Sequence, residues 1–154
     1  MKKSYMQEAI LEARKGIDNQ EGGPFGTVIV KDGKIVGRGH NQVLLLKDPT
    51  CHGEVQAIRA ACKALGTHDL SGCVLYTTGE PCPMCMAACM WANIEKVYFG
   101  CTVADNADIG FRDEQFYARL YDNKDGDNGF TECLDRDSCL QLFEDYKSQG
   151  HKKY

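Results

Sequence analysis

No stretch of the 154 residues approaches the roughly twenty consecutive apolar positions that a membrane span needs, which excludes a helical membrane protein. The first sixteen residues also lack the uninterrupted apolar segment of a secretion signal. Lys2 and Lys3 are followed by Glu8, Glu12 and Arg14, so the chain is expected to stay in the cytoplasm. There is no basic stripe either. Residues 1–104 carry 11 Lys and Arg against 10 Asp and Glu, whereas residues 105–154 carry 7 against 12. A protein that grips a nucleic-acid backbone presents the opposite balance, which argues against a nucleic-acid partner. No repeat, low-complexity stretch or linker interrupts the chain, so a single domain over 1–154 is expected.

Apolar residues make up 43% and charged residues 26%, ordinary values for a folded domain and outside the range of disordered chains. A chain of this length buries roughly two-thirds of its unfolded surface, enough for a core without covalent staples. The nine cysteines are an odd and high count. In a reducing cytoplasm they are expected as free thiols, most of them small apolar core residues, with two or three available to a metal.

Apolar spacing predicts helices over 4–15, 53–65, 83–92, 113–121 and 137–148, with Gly16 and Gly66 as stops. Asp137 or Ser138 is the expected cap of the last helix. Strands are expected over 26–31, 34–39, 73–77 and 96–100, the first two joined by an Asp32-Gly33 hairpin turn. An edge strand over 129–134 would make a fifth, and residues 41–50 are expected as a loop. Strands alternating with helices give an α/β sandwich around one mixed sheet.

Two pieces carry chemistry. His52-Gly53-Glu54 opens one central helix, and Pro81-Cys82-Pro83-Met84-Cys85 opens the next. One imidazole and two thiolates are three ligands for zinc, leaving a fourth tetrahedral position for water, the mark of a catalytic rather than a structural site. Helix N-termini favour thiolates through the dipole and free N–H groups. Glu54 lies two residues past His52, close enough to take a proton from that water without ligating the metal. Either half alone is a weak signal. H-x-E followed by P-C-x-x-C, each at a strand-to-helix junction, is the pattern of zinc-dependent nucleobase deaminases.

On these residues the chain resembles the cytidine deaminase superfamily, and within it the bacterial type of guanine deaminase. The likeness extends over Gly22-Gly23-Pro24-Phe25-Gly26, Asn41 to Thr50, Glu80 to Cys85, Gly110-Phe111-x-Asp113 and Lys152-Lys153-Tyr154. It implies a three-layer α/β/α sandwich with a five-stranded mixed sheet, one zinc per subunit, and hydrolytic deamination of a nucleobase, guanine to xanthine plus ammonia. It also implies a homodimer in which the C-terminal segment, about 135–154, is exchanged between subunits. By position it makes Glu54 and Asp113 the catalytic acids. Asn41, Phe25, Gly53 and Tyr154 become substrate-binding residues, with Tyr154 closing the neighbour's site.

Two departures leave the substrate open. Gly53 stands where the family more often has Ala, as in fungal cytosine deaminase, and residues 43–47 (VLLLK) are unusually apolar. The competing activities are cytosine or another nucleobase or nucleoside deaminase and a tRNA adenosine deaminase. A structural zinc or redox dithiol protein would explain Cys82 and Cys85 but would leave His52 and Glu54 without a role. Met84, Met86, Met90 and Trp91 are expected as core packing, Cys89 as a core thiol, and Cys51 at the pocket edge.

Overall fold

The computed structural model describes residues 1–121, 130–131 and 133–152. Among them the elements run α1 (Lys2–Asp18), β1 (Gly26–Lys31), β2 (Lys34–His40), α2 (Val43–Leu46), α3 (Gly53–Leu65), β3 (Val74–Gly79), α4 (Pro83–Trp91), β4 (Lys96–Cys101), α5 (Val103–Asp108), α6 (Asp113–Tyr121) and α7 (Arg136–Ser148). The chain divides into two compact units, Met1–Ala118 and Arg119–Tyr154.

The first unit is built on one mixed sheet in the order β2-β1-β3-β4. β1 runs antiparallel to both β2 and β3, and β3 runs parallel to β4. Strand alternation sorts side chains to two faces. Val28, Val30 and Tyr76 join Ala9 of α1 on one side. Ile29 and Leu75 join Ala57 and Ala61 of α3 and Cys89 of α4 on the other. Helix, sheet and helix therefore form the three expected layers. Gly39 lets α3 lie close to the sheet, since a Cβ there would stand 2.4 Å from the Ala57 nitrogen and 2.6 Å from the Gly53 carbonyl oxygen. That close approach holds the start of α3, and with it His52, against β2.

Several expectations need correction. Among the described residues the sheet has four strands, not five. Phe130, Thr131, Cys133 and Leu134 are irregular and exposed, while 129 and 132 lie outside the described residues. α1 runs through Gly16 to Asp18, because Gly16 is buried against the His40 ring rather than ending the helix. The 41–50 loop contains α2, whose Leu44 and Leu45 N–H groups donate to the Glu21 carbonyl. α4 buries only Cys85 and Cys89, one turn apart. Met90 and Trp91 are 68% and 72% exposed, since a nine-residue helix that is apolar all round cannot bury every face against one sheet.

In the second unit, α7 begins after Asp135 rather than at Asp137 or Ser138 and has no side-chain cap bond. None of its residues is buried.

Candidate active site

α3 and α4 both start beside the C-terminal ends of strands, and their first residues meet. His52 and Cys82 are the respective N-cap residues, both in extended conformation, and Pro83 takes the first helical position of α4. The ligand atoms of His52, Cys82 and Cys85 all lie within 4.8 Å of one another. Cys82 Sγ stands 3.6 Å from His52 Nδ1. Two ligands at zinc–sulfur and zinc–nitrogen bond lengths, about 2.3 and 2.0 Å, subtend a similar separation at a tetrahedral angle. A soft sulfur pair with one imidazole is a donor set that suits zinc, and the residues present fit the ion.

Electrostatics prepare the same site. The Cys85 thiol hydrogen-bonds to Cys82 and, with His52, draws the Cys82 thiol down to about 4. Cys85 is pushed up by donating to that sulfur and by burial. The His52 imidazole is raised by its hydrogen bond with Cys82. A bound divalent cation would replace the shared proton and hold both sulfurs as thiolates. Cys89 also lies on α4, but it sits in the core with its thiol pushed up to about 12 by burial. It is packing, as expected, and no ligand.

Glu54 is buried beside this cluster, and burial raises its carboxyl above the ordinary glutamate value. Behind it stands a pair of buried hydroxyls. Thr27 Oγ1 donates to Thr77 Oγ1 at 3.1 Å, and Thr77 Oγ1 donates to Glu54 Oε1 at 3.4 Å. Gly53 fits beneath them, where a Cβ would stand 3.0 Å from the Phe25 carbonyl oxygen and 3.2 Å from Thr27 Oγ1. It is not among the residues lining the cavity in front of the cluster.

That cavity holds about 460 Å³ and is lined by Phe25, Asn41, His52, Glu54, Cys82 and Asp113, among others. The structure thus gathers six of the expected residues around one space. Asn41 is buried, with its N–H on the Phe25 carbonyl and its Oδ1 accepting from the Val43 N–H, the first residue of α2. The Asp113 carboxyl is raised, first by burial and then by the nearby Cys82 sulfur. Tyr154 lies outside the described residues. The cavity also has lining residues that motif reading did not single out as a site, namely Val43, Leu44, Glu80, Phe111, Arg112 and Phe116. Glu80 could have been found from its place before Pro81-Cys82. Phe111 packs edge-on to Phe25 at 4.8 Å and 81°, and its signal was its place beside Asp113. Cys51 is buried, with Arg59 Nη1 3.5 Å from its sulfur.

The family described as cytidine and deoxycytidylate deaminase zinc-binding region matches residues 1–101. The chain belongs to this family. It is therefore a zinc-dependent deaminase, a hydrolase acting on carbon–nitrogen bonds, and His52, Cys82 and Cys85 are the cluster that can hold the metal. It is 45% identical over 117 residues to the guanine deaminase of Bacillus subtilis, which covers 76% of this chain and 75% of that one. It is 46% identical over 98 residues to the tRNA-specific adenosine deaminase of Aquifex aeolicus, covering 64% of each chain. The X-ray structure of guanine deaminase from Bacillus subtilis superposes with a TM-score of 0.87 at 38% identity, covering 99% of this chain and 97% of that one. No described helix is long and apolar enough to cross a membrane.

Proposed function

We propose that this chain deaminates guanine to xanthine and ammonia. The observation that carries the reading is the extent of the likeness. By structure, the guanine deaminase of Bacillus subtilis is matched along 99% of the chain, a tRNA:A34 deaminase over 65% of it.

His52, Cys82 and Cys85 would hold the zinc, which when bound would supply a Lewis acid able to lower the pKa of water towards neutrality. The remaining work falls to side chains. Asn41 hydrogen-bonds the purine at the cavity wall, and Phe25, with Phe111 packed edge-on against it, forms an aromatic wall beside the ring. Glu54 accepts the proton of the attacking water as the C–O bond forms at C2, the carbon bearing the exocyclic amine, and delivers it to the ring nitrogen. A second transfer, by way of Glu54 or Asp113, carries the remaining proton from the new C2 hydroxyl to the amine; the C–N bond breaks, the C2 carbonyl forms, and ammonia leaves. The elevated carboxyls of Glu54 and Asp113 suit groups that must both take and give protons. The Cys82 backbone N–H is the donor assigned to the developing oxyanion.

The enzyme works as one domain over 1–154 in a cytoplasmic homodimer, with about 135–154 exchanged between subunits and Tyr154 closing the neighbour's site. The exposed Met90 and Trp91 of α4 support a partner surface. The thiols of Cys82 and Cys85, which must stay reduced to ligate, support a reducing compartment. The test is ammonia release from guanine, guanosine, adenine, cytosine and a tRNA anticodon stem. Guanine is expected to turn over fastest. Turnover of cytosine or of the RNA in its place would overturn the substrate assignment.

A further inference from the structure

Asn106 lies outside every motif that points to the site, yet it is 1% exposed and its side-chain Nδ2 makes two hydrogen bonds. Its Nδ2 donates to Asp113 Oδ2 at 3.1 Å and to the Glu80 carbonyl oxygen at 3.3 Å. An amide NH2 has two donors, and here each meets a different functional segment. One is the second acid of the cavity. The other is the loop that leads through Pro81 to the ligand Cys82.

The helix carrying Asn106 is itself pinned. Thr102 and Asp105 close a capping box at the start of α5. The Val103 N–H donates to Glu80 Oε2 at 2.9 Å, and the Glu80 N–H donates to the Cys101 carbonyl at 2.7 Å. The Asn106 carbonyl accepts from the Phe111 N–H at 3.0 Å. Space for the amide comes from Gly79, where a Cβ would stand 3.0 Å from Asn106 Oδ1 and 2.9 Å from the Phe25 ring.

We infer that Asn106 is a positioning residue that fixes the Asp113 carboxylate against the metal-binding loop. A bond to Oδ2 restricts rotation of that carboxylate, and the second bond ties its position to the backbone leading to Cys82. A small misplacement of a reacting group costs rate out of proportion to the distance. The inference rests on the reading of Asp113 as the second acid of a guanine deaminase.

The test uses the full-length, zinc-loaded protein and the four members of a cycle: wild type, Asn106→Ala, Asp113→Asn and the double variant. Asn106→Ala is expected to lower kcat on guanine about tenfold with KM and zinc content nearly unchanged. In the Asp113→Asn background the same substitution is expected to cost less than about twofold. Equal losses in both backgrounds would overturn the inference, since they would mark a structural role. A readout that needs no turnover is the Asp113 carboxyl titration, followed by carbon-13 NMR without substrate. It is expected to move to higher pH in Asn106→Ala because a donor to the carboxylate is gone, and an unmoved titration would contradict the inference. If guanine is not turned over but that titration moves, the substrate reading fails and the positioning role stands. Should Asn106→Ala not fold, Asn106→Ser serves in the same cycle.

Discussion

The two compact units differ in what holds their side chains. In Met1–Ala118 the apolar residues have a place, with Ile29 and Leu75 fully buried and Val28 opposite them on the other face of the same sheet. In Arg119–Tyr154 none of the described residues is buried, and Leu142 and Phe143 of α7 are 64% and 66% exposed. The first unit carries the metal cluster and the proton carrier on helix starts fixed by that core. The second presents α7, on which Leu142, Phe143 and Tyr146 are all exposed. Precision of the chemistry thus goes with burial.

The contrast sharpens most in a single carboxylate. Glu54→Ala is expected to reduce turnover by about a thousandfold or more while zinc content stays at the wild-type level, read by steady-state kinetics alongside metal analysis. A structural zinc protein would lose little. For stability, Leu75→Ala in the core is expected to cost about 2–5 kcal/mol by urea unfolding. Leu142→Ala in α7 should stay within about 0.5 kcal/mol in dilute monomer. Similar costs for the two leucines would erase the distinction between the units. Deleting Lys152 to Tyr154 is expected to lower kcat/KM about tenfold or more with Tm unchanged. Unchanged kinetics would remove Tyr154 from the site and leave the first unit to act alone.

The smallest effect concerns pH. Hydrogen bonds from Gln42 and His40 hold the Glu21 carboxyl below the ordinary 4.5. A depressed carboxylate contributes stability that is present above its unfolded value and lost as pH falls through the folded one. The stability difference between wild type and Glu21→Ala is therefore expected to shrink between pH 6 and pH 3, measured by urea midpoints. A difference that grows on acidification would reverse the sign and refute the assignment.

The core of the site was legible in the sequence because it depends on local spacing. His52 and Glu54 are two apart, Cys82 and Cys85 one helical turn apart, and each pair opens a helix whose start has sequence signals. The four strands of the sheet were legible from β-branched runs and the Asp32-Gly33 turn. What failed needed tertiary information. α2 forms because the Glu21 carbonyl receives two of its N–H groups from across the fold. α5 is six residues long, and its Thr102-x-x-Asp105 capping pattern was the one signal that could have found it. The exposure of Trp91 depends on which face of α4 meets the sheet, which an all-apolar helix does not reveal. Asn106 gains its significance only from Gly79, Glu80 and Asp113, brought to it by the end of β3, the loop that follows and the start of α6.

The most direct measurement is zinc-edge X-ray absorption on the folded, purified protein, combined with metal stoichiometry. One zinc per chain is expected, with two sulfurs at about 2.3 Å, one imidazole nitrogen, and one further light atom from solvent. Folded protein that contains no zinc, or a zinc ringed by four protein ligands, would contradict the catalytic centre described here.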